Sequence, residues 1–228
     1  MMRFSSMLVL MITLSISLKA QINDAQLWEN IEVTKKFSKT WAFHFNHEGR
    51  IVNNFSEFHY AYGDFGIVRK FSKSLKMSLN YVLVWKKTDS HDSWRHQYYV
   101  SLTYNKDFLD HFNISLREEF QTQYQDIYSS ELGKYPEHYL RSKATITYDP
   151  VYYPFYKIQP YIASEIYYHT DANDKYGPEF NRIRYFAGLF YHINKISDLE
   201  LYYLYELHFN INNPPHNYVI GIGYGIKL

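Results

Sequence analysis

The stretch that decides the fold is Asn217–Leu228, NYVIGIGYGIKL, in which Tyr218, Ile220, Ile222, Tyr224, Ile226 and Leu228 alternate with Asn217, Val219, Gly221, Gly223, Gly225 and Lys227. Successive side chains of a strand point to opposite faces, so one face here is apolar and the other nearly bare. A period of two, with the apolar set ending on the last residue, fits the closing strand of a membrane β-barrel.

Working outward, the same period recurs along the chain. Residues 199–210 alternate as sharply, and 75–86 set Leu75, Met77, Leu79, Tyr81, Leu83 and Trp85 against Lys76, Ser78, Asn80, Val82, Val84 and Lys86. Residues 40–51 carry Trp41, Phe43 and Phe45 on one side and His44, Asn46, Glu48 and Arg50 on the other. Further segments read as strands at 94–105, 112–124, 138–148, 157–169 and 181–193. The weakest is 25–34, where Glu29 shares a face with Leu27, Ile31 and Val33; Glu118 is a second acid on an apolar face. In 57–69 the aromatic register of Phe58, Tyr60 and Tyr62 opposes that of Phe65 and Ile67, which predicts a bulge at Gly63.

This reading gives an all-β, transmembrane, antiparallel up-and-down barrel. Connections near 36–39, 71–74, 105–110 and 194–198 are tight, and those at 87–93, 125–136 and 170–180 are longer, as for periplasmic turns and extracellular loops. Eleven segments are an odd number, whereas single-chain bacterial barrels have an even one. The expectation is therefore 12 strands, the extra one supplied by 21–30 or by the irregular 55–70 region. Ten is the alternative, if 25–34 is not a wall strand.

Composition agrees with a thin apolar skin around a polar interior. Mean hydropathy is −0.43, ordinary for a soluble protein, yet 20% of the chain is aromatic, with 25 Tyr, 16 Phe and 4 Trp. Such residues collect at membrane interfaces, and Trp41, Trp85, Trp94, Tyr104, Tyr218 and Tyr224 fall mostly near strand ends. The opening Met-Met-Arg, the apolar run 7–18 and Lys19-Ala20 read as a signal peptide, residues 1–20, cleaved after Ala20. Residues 21–228 are then one outer-membrane barrel domain. The leader holds two basic residues and no acid, so 22 basic and 23 acidic residues remain, and no field for nucleic acid is present. Cysteine is absent, which excludes disulfides and thiolate metal sites.

A soluble barrel with an apolar inside shows the same period, and the charges decide between the two. Glu48, Arg50, Arg95, Arg117, Glu119, Arg141, Lys143, Glu165, Arg182, Arg184, Glu200 and Glu206 all lie on polar faces, several near mid-strand. One arginine facing lipid near the bilayer midplane costs ~2–4 kcal/mol, so these faces look inward and form a lumenal charge network.

Several of these residues also carry a family resemblance. Arg50, Arg95 beside Trp94, the Arg117/Glu119 pair, Arg141, the string 160–165 (PYIASE), Arg182-x-Arg184 with Gly188, and Tyr202-Tyr203 together resemble the family called domain of unknown function 2490. The resemblance implies an uncharacterised outer-membrane barrel of Bacteroidetes-like, Gram-negative bacteria. It brings no activity with it.

The functional expectation is a structural or narrow, porin-like small-solute pore with a charge-paired lumen. Its partners are outer-membrane lipid, the barrel-insertion machinery and an unidentified small solute. The alternatives are a lipid-modifying enzyme acting at the rim and a surface interaction protein acting through the longer loops. His44, Asn46 and Glu48 share a face, but alternate residues of a strand stand ~6.8 Å apart, too far for direct side-chain chaining. The His-x-Ser-Asn-Gly pattern of outer-membrane phospholipases is absent. No catalytic, metal or cofactor site is assigned. Gly221, Gly223 and Gly225, beside Tyr202, Glu206 and His208, predict a gap in the lumenal packing.

Overall fold

The computed structural model describes residues 23–88, 92–124, 136–150, 157–170, 178–210 and 214–228. The leader expected at 1–20 lies outside the described residues, as do parts of the three longer loops. The described strands are β1 (Asn23–Lys36), β2 (Trp41–Val52), β3 (Glu57–Lys70), β4 (Leu75–Lys87), β5 (Asp92–Phe108), β6 (Phe112–Tyr124), β7 (Pro136–Tyr148), β8 (Ile158–His169), β9 (Glu179–His192), β10 (Ser197–His208) and β11 (His216–Lys227). Each pairs with its sequence neighbours, and β1 pairs with β11, so the sheet closes on itself.

The strand count corrects the expectation of 12, and the alternative of ten. Among the described residues there are eleven strands, because β1 and β11 run parallel. Their register holds from Asn23 beside His216 to Thr34 beside Lys227. Beyond it, Leu228 N–H donates to the Thr34 carbonyl at 2.8 Å and Lys36 N–H to the Leu228 carbonyl at 2.9 Å. The parity argument assumed antiparallel closure. A parallel ladder satisfies the same backbone groups with slanted bonds and lets an odd number of strands close. The segment at 25–34 is a full wall strand, paired on both sides.

Inside and outside are distributed as the alternation requires. Leu79, Ile162, Phe65 and Ile220 stand among the exposed apolar residues of the outer face, with Leu79 60% exposed. Among the described residues seventeen polar or charged ones are buried against nine hydrophobic ones, the reverse of a soluble barrel. Outward Trp85 and Trp94 pair across β4 and β5 at one rim, and Tyr104 and Tyr224 lie toward the other. The two acids on the apolar face each find a partner there: Glu29 lies 3.3 Å from His47 Nε2, and Glu118 accepts from Ser142 Oγ at 2.6 Å.

The predicted bulge is displaced. The register shift falls where Arg50 pairs with Tyr60 and Ile51 with Phe58, leaving His59 as the extra residue, and pairing runs unbroken through Gly63. Tyr60 and Tyr62 line the lumen while Phe65 and Ile67 are exposed outside, so there is no change of phase at the glycine. Tyrosine scores as apolar in a pattern, but its hydroxyl suits the lumen: Tyr62 donates to Glu48 at 3.3 Å and accepts from Asn46 Nδ2 at 3.0 Å.

Candidate functional site

The lumen holds a cavity of about 1210 Å³ whose walls take in every one of the twelve charged residues singled out from the sequence. Strand register decides which of them meet. Glu119 on β6 sits opposite Arg141 on β7, Glu165 on β8 opposite Arg184 on β9, and Arg184 opposite Glu206 on β10. Because all share the inward phase, acid and base alternate around the wall and become a belt.

The bonds follow that order. Arg141 Nη1 donates to Glu119 Oε1, and its Nη2 to Glu165 Oε1 at 2.9 Å. Arg117 Nη2 reaches the same Glu165 oxygen at 2.8 Å, and Arg184 Nε donates to Glu206 Oε2 at 2.6 Å. Arg182 lies farther off, 3.7 Å from Glu206, which also accepts from Asn217 Nδ2 at 2.8 Å. Glu119 and Glu165 are each only 2% exposed. Carboxylates so buried persist as charges only when paired and hydrogen-bonded, and these are. Tyr167 completes the belt: it accepts from Arg184, and Arg141 and Arg182 stack on its ring at 4.6 and 4.8 Å.

Four of the twelve stand apart from the belt. Glu48 and Arg50 form their own pair at 2.6 Å, with the guanidinium 3.7 Å from the Trp28 ring and 4.3 Å from that of Tyr60. Glu200 accepts from Tyr161 Oη. Arg95 makes no ion pair among the described residues, and its Nε is buried without a partner. Lys143, inside the belt region, faces the Phe186 ring at 4.1 Å rather than a carboxylate, although Glu165 is its cross-strand neighbour.

The gap predicted at the glycine face is filled at Gly221 and Gly223, and Gly225 keeps only loose contact with Asp198. Tyr202 has Gly188 beside it on β9 and Gly221 on β11, and its ring lies where a Gly221 side chain would project. A Cβ on Gly188 would come 2.8 Å from Tyr202 Cβ, and one on Gly223 would meet Asn30 Oδ1. An aromatic ring laid over bare glycine backbone packs a sheet tightly, and Trp28, Leu204 and Val219 form a small apolar cluster beside it, against Phe186 and Tyr202. The open volume lies elsewhere in the lumen.

Other lumenal residues were not singled out from the sequence. Asp64 accepts from Asn80 Nδ2 at 2.8 Å and from Tyr99 Oη, and Ser78 meets Ser101 at 2.8 Å. Their inward phase was legible, but their pairing depends on register. His44 faces the lumen, 3.5 Å from Thr34 Oγ1 and 3.8 Å from Glu32, while Asn46 and Glu48 turn to Tyr62 and Arg50. These three do not converge on a common point, and His44 is not presented at the outer rim.

With the lumen in view, relatives of the chain can be weighed. The pattern of the family described as "Protein of unknown function (DUF2490)" matches residues 25–217. The chain belongs to that family. The match runs from Ala25 in β1 to Asn217 at the opening of β11, so the belt lies inside the shared region, with Trp28, Tyr202 and Leu204 but not Val219 or Gly221. None of the curated proteins compared with the chain matches it. A solved structure of the NanC porin is similar at 14% identity and a TM-score of 0.48, over 80% of this chain and 86% of that one. At that level the likeness carries no inference about activity.

Proposed function

We propose that the chain is an outer-membrane barrel whose polar lumen passes small solutes. The observation that carries this reading is the cavity itself, which is lined by Lys36 and Lys39 at the tight-turn end and by Glu137 and Pro215 at the other. The outer face supports a bilayer as its surroundings. Strands of 12 to 17 residues exceed the ~9–11 a tilted strand needs to cross, and closure leaves no sheet edge to lipid. Eleven strands enclose a narrow lumen compared with the about 16 of general porins, and the belt and the Tyr202 cluster narrow it further.

Refolded protein in planar bilayers tests this. Discrete, small conductance steps are expected. Their absence at every applied voltage would mean a closed scaffold and overturn the pore.

A further inference from the structure

The lumen carries a charge that the chain as a whole does not. The formal net charge of the sequence is +1, yet among the described residues twelve Lys and Arg line the cavity against eight Asp and Glu, an excess of four positive charges. The two signs are also held differently. The eight lumenal carboxylates are engaged: Glu119, Glu165 and Glu206 by arginines, Glu48 by Arg50, Asp64 by Asn80 and Tyr99, Glu200 by Tyr161, Glu137 by Tyr139, and Glu32 by Thr34 and His44. By contrast Lys70, Lys76, Lys86, Arg95 and Lys143 have no carboxylate within 4 Å among the described residues.

Two of these cations, Lys86 and Arg95, meet where β4 passes to β5, whereas Lys70 and Lys76 pair at the opposite end of the lumen. Lys86 pairs with Ser93 and Arg95 with Val84, which sets these two inward side chains diagonally next to one another. Among the described residues, the charges that act most on Lys86 are the cations Arg95, Arg182 and Arg50. Arg182 shares Glu206 with Arg184, and the Nε atoms of both Arg95 and Arg182 are buried without partners. Gln97, next inward from Arg95 along β5, is tied to Gln123 and adds no negative charge. The Arg95 guanidinium, which has no ion pair among the described residues, presents a fixed fork that matches carboxylate and phosphate oxygens, and Arg182 shares its carboxylate with Arg184. A polar lumen with its acids occupied and its cations free concentrates anions.

We propose that the mouth around Lys86, Arg95 and Arg182 is a binding site for small oxyanions bearing a carboxylate or a phosphate, and that the pore selects anions over cations. The selectivity rests on the pore reading above; the binding site does not.

The test uses the full protein, refolded, in two measurements. Calorimetric titration with inorganic phosphate and with citrate, at low salt, reads the site; the reversal potential in a potassium chloride gradient reads selectivity. Saturable binding of either probe is expected, weakened about tenfold or more in the double variant Lys86→Gln/Arg95→Gln, as for loss of charged hydrogen bonds. Among the described residues neither is hydrogen-bonded or ion-paired to another side chain, and an unchanged urea midpoint of the double variant checks that the fold is kept. The probe bound more tightly assigns phosphate or carboxylate. Chloride preference reduced in the double variant supports the inference. Conducting pores with no chloride preference and no saturable binding overturn it and leave the pore standing. Binding without conductance keeps the site and overturns the pore, and binding unchanged in the double variant removes the site from this mouth.

Discussion

Two sides of the same lumen hold their polar groups in opposite ways. From β6 to β10 the wall is ionic, with Arg117, Arg141, Arg182 and Arg184 interlocked with Glu119, Glu165 and Glu206. From β3 to β5 it is built mainly from neutral partners, Asn80 and Tyr99 on Asp64 and Ser78 on Ser101, and among the described residues its inward Lys70, Lys76 and Lys86 have no carboxylate within 4 Å. The alternation that generates the two walls is identical. The ionic wall commits its carboxylates to shared, fixed geometries, whereas the neutral wall makes small local bonds.

That contrast predicts unequal sensitivity. The largest effect is expected from Arg141→Met, which leaves Glu119 and Glu165 short of their shared partner in a buried belt. Breaking such a pair from one side costs about 3–5 kcal/mol, to be read from urea unfolding of the refolded barrel. Gly221→Ala comes next, because its Cβ meets the Tyr202 ring, which Gly188 and Phe186 hem in on the other side. Overpacking of this kind costs about 1–3 kcal/mol, and Tyr202→Gly in the same background should recover part of it. Ser78→Ala on the neutral wall should lower stability by only about 0.5–1.5 kcal/mol, the net value of one hydrogen bond. A Ser78→Ala loss as large as that of Arg141→Met would erase the distinction between the walls.

The sequence made the strands and their faces readable, because period two is a strong signal wherever one face must be apolar. It was clearest in β4, β10 and β11, and readable even in β1, whose outward Glu29 is accommodated by His47 from the neighbouring strand. Closure was not readable. Nothing local in Ala25–Thr34 or Tyr218–Lys227 tells a parallel seam from an antiparallel one, so parity argues for an even count where the pattern itself shows eleven segments. At the site, the inward charges were visible as a set, but which acid meets which base depends on register between strands. Lys143 is the instructive case: it stands opposite Glu165, yet Arg117, Arg141 and Arg184 occupy that carboxylate. The glycine face was likewise visible and what fills it was not, since Tyr202 reaches it from the adjacent strand.

The central claim is that this barrel is inside out, with water within and lipid around it. The chain contains no cysteine, so single thiols can report each face without background. Ser78 and Leu79 are adjacent on β4 and point to opposite faces, Ser78 into the cavity and Leu79 outward. In protein reconstituted into lipid vesicles, a charged, water-soluble maleimide should modify the Ser78→Cys variant and spare Leu79→Cys. Modification of Leu79→Cys with protection of Ser78→Cys would contradict the account.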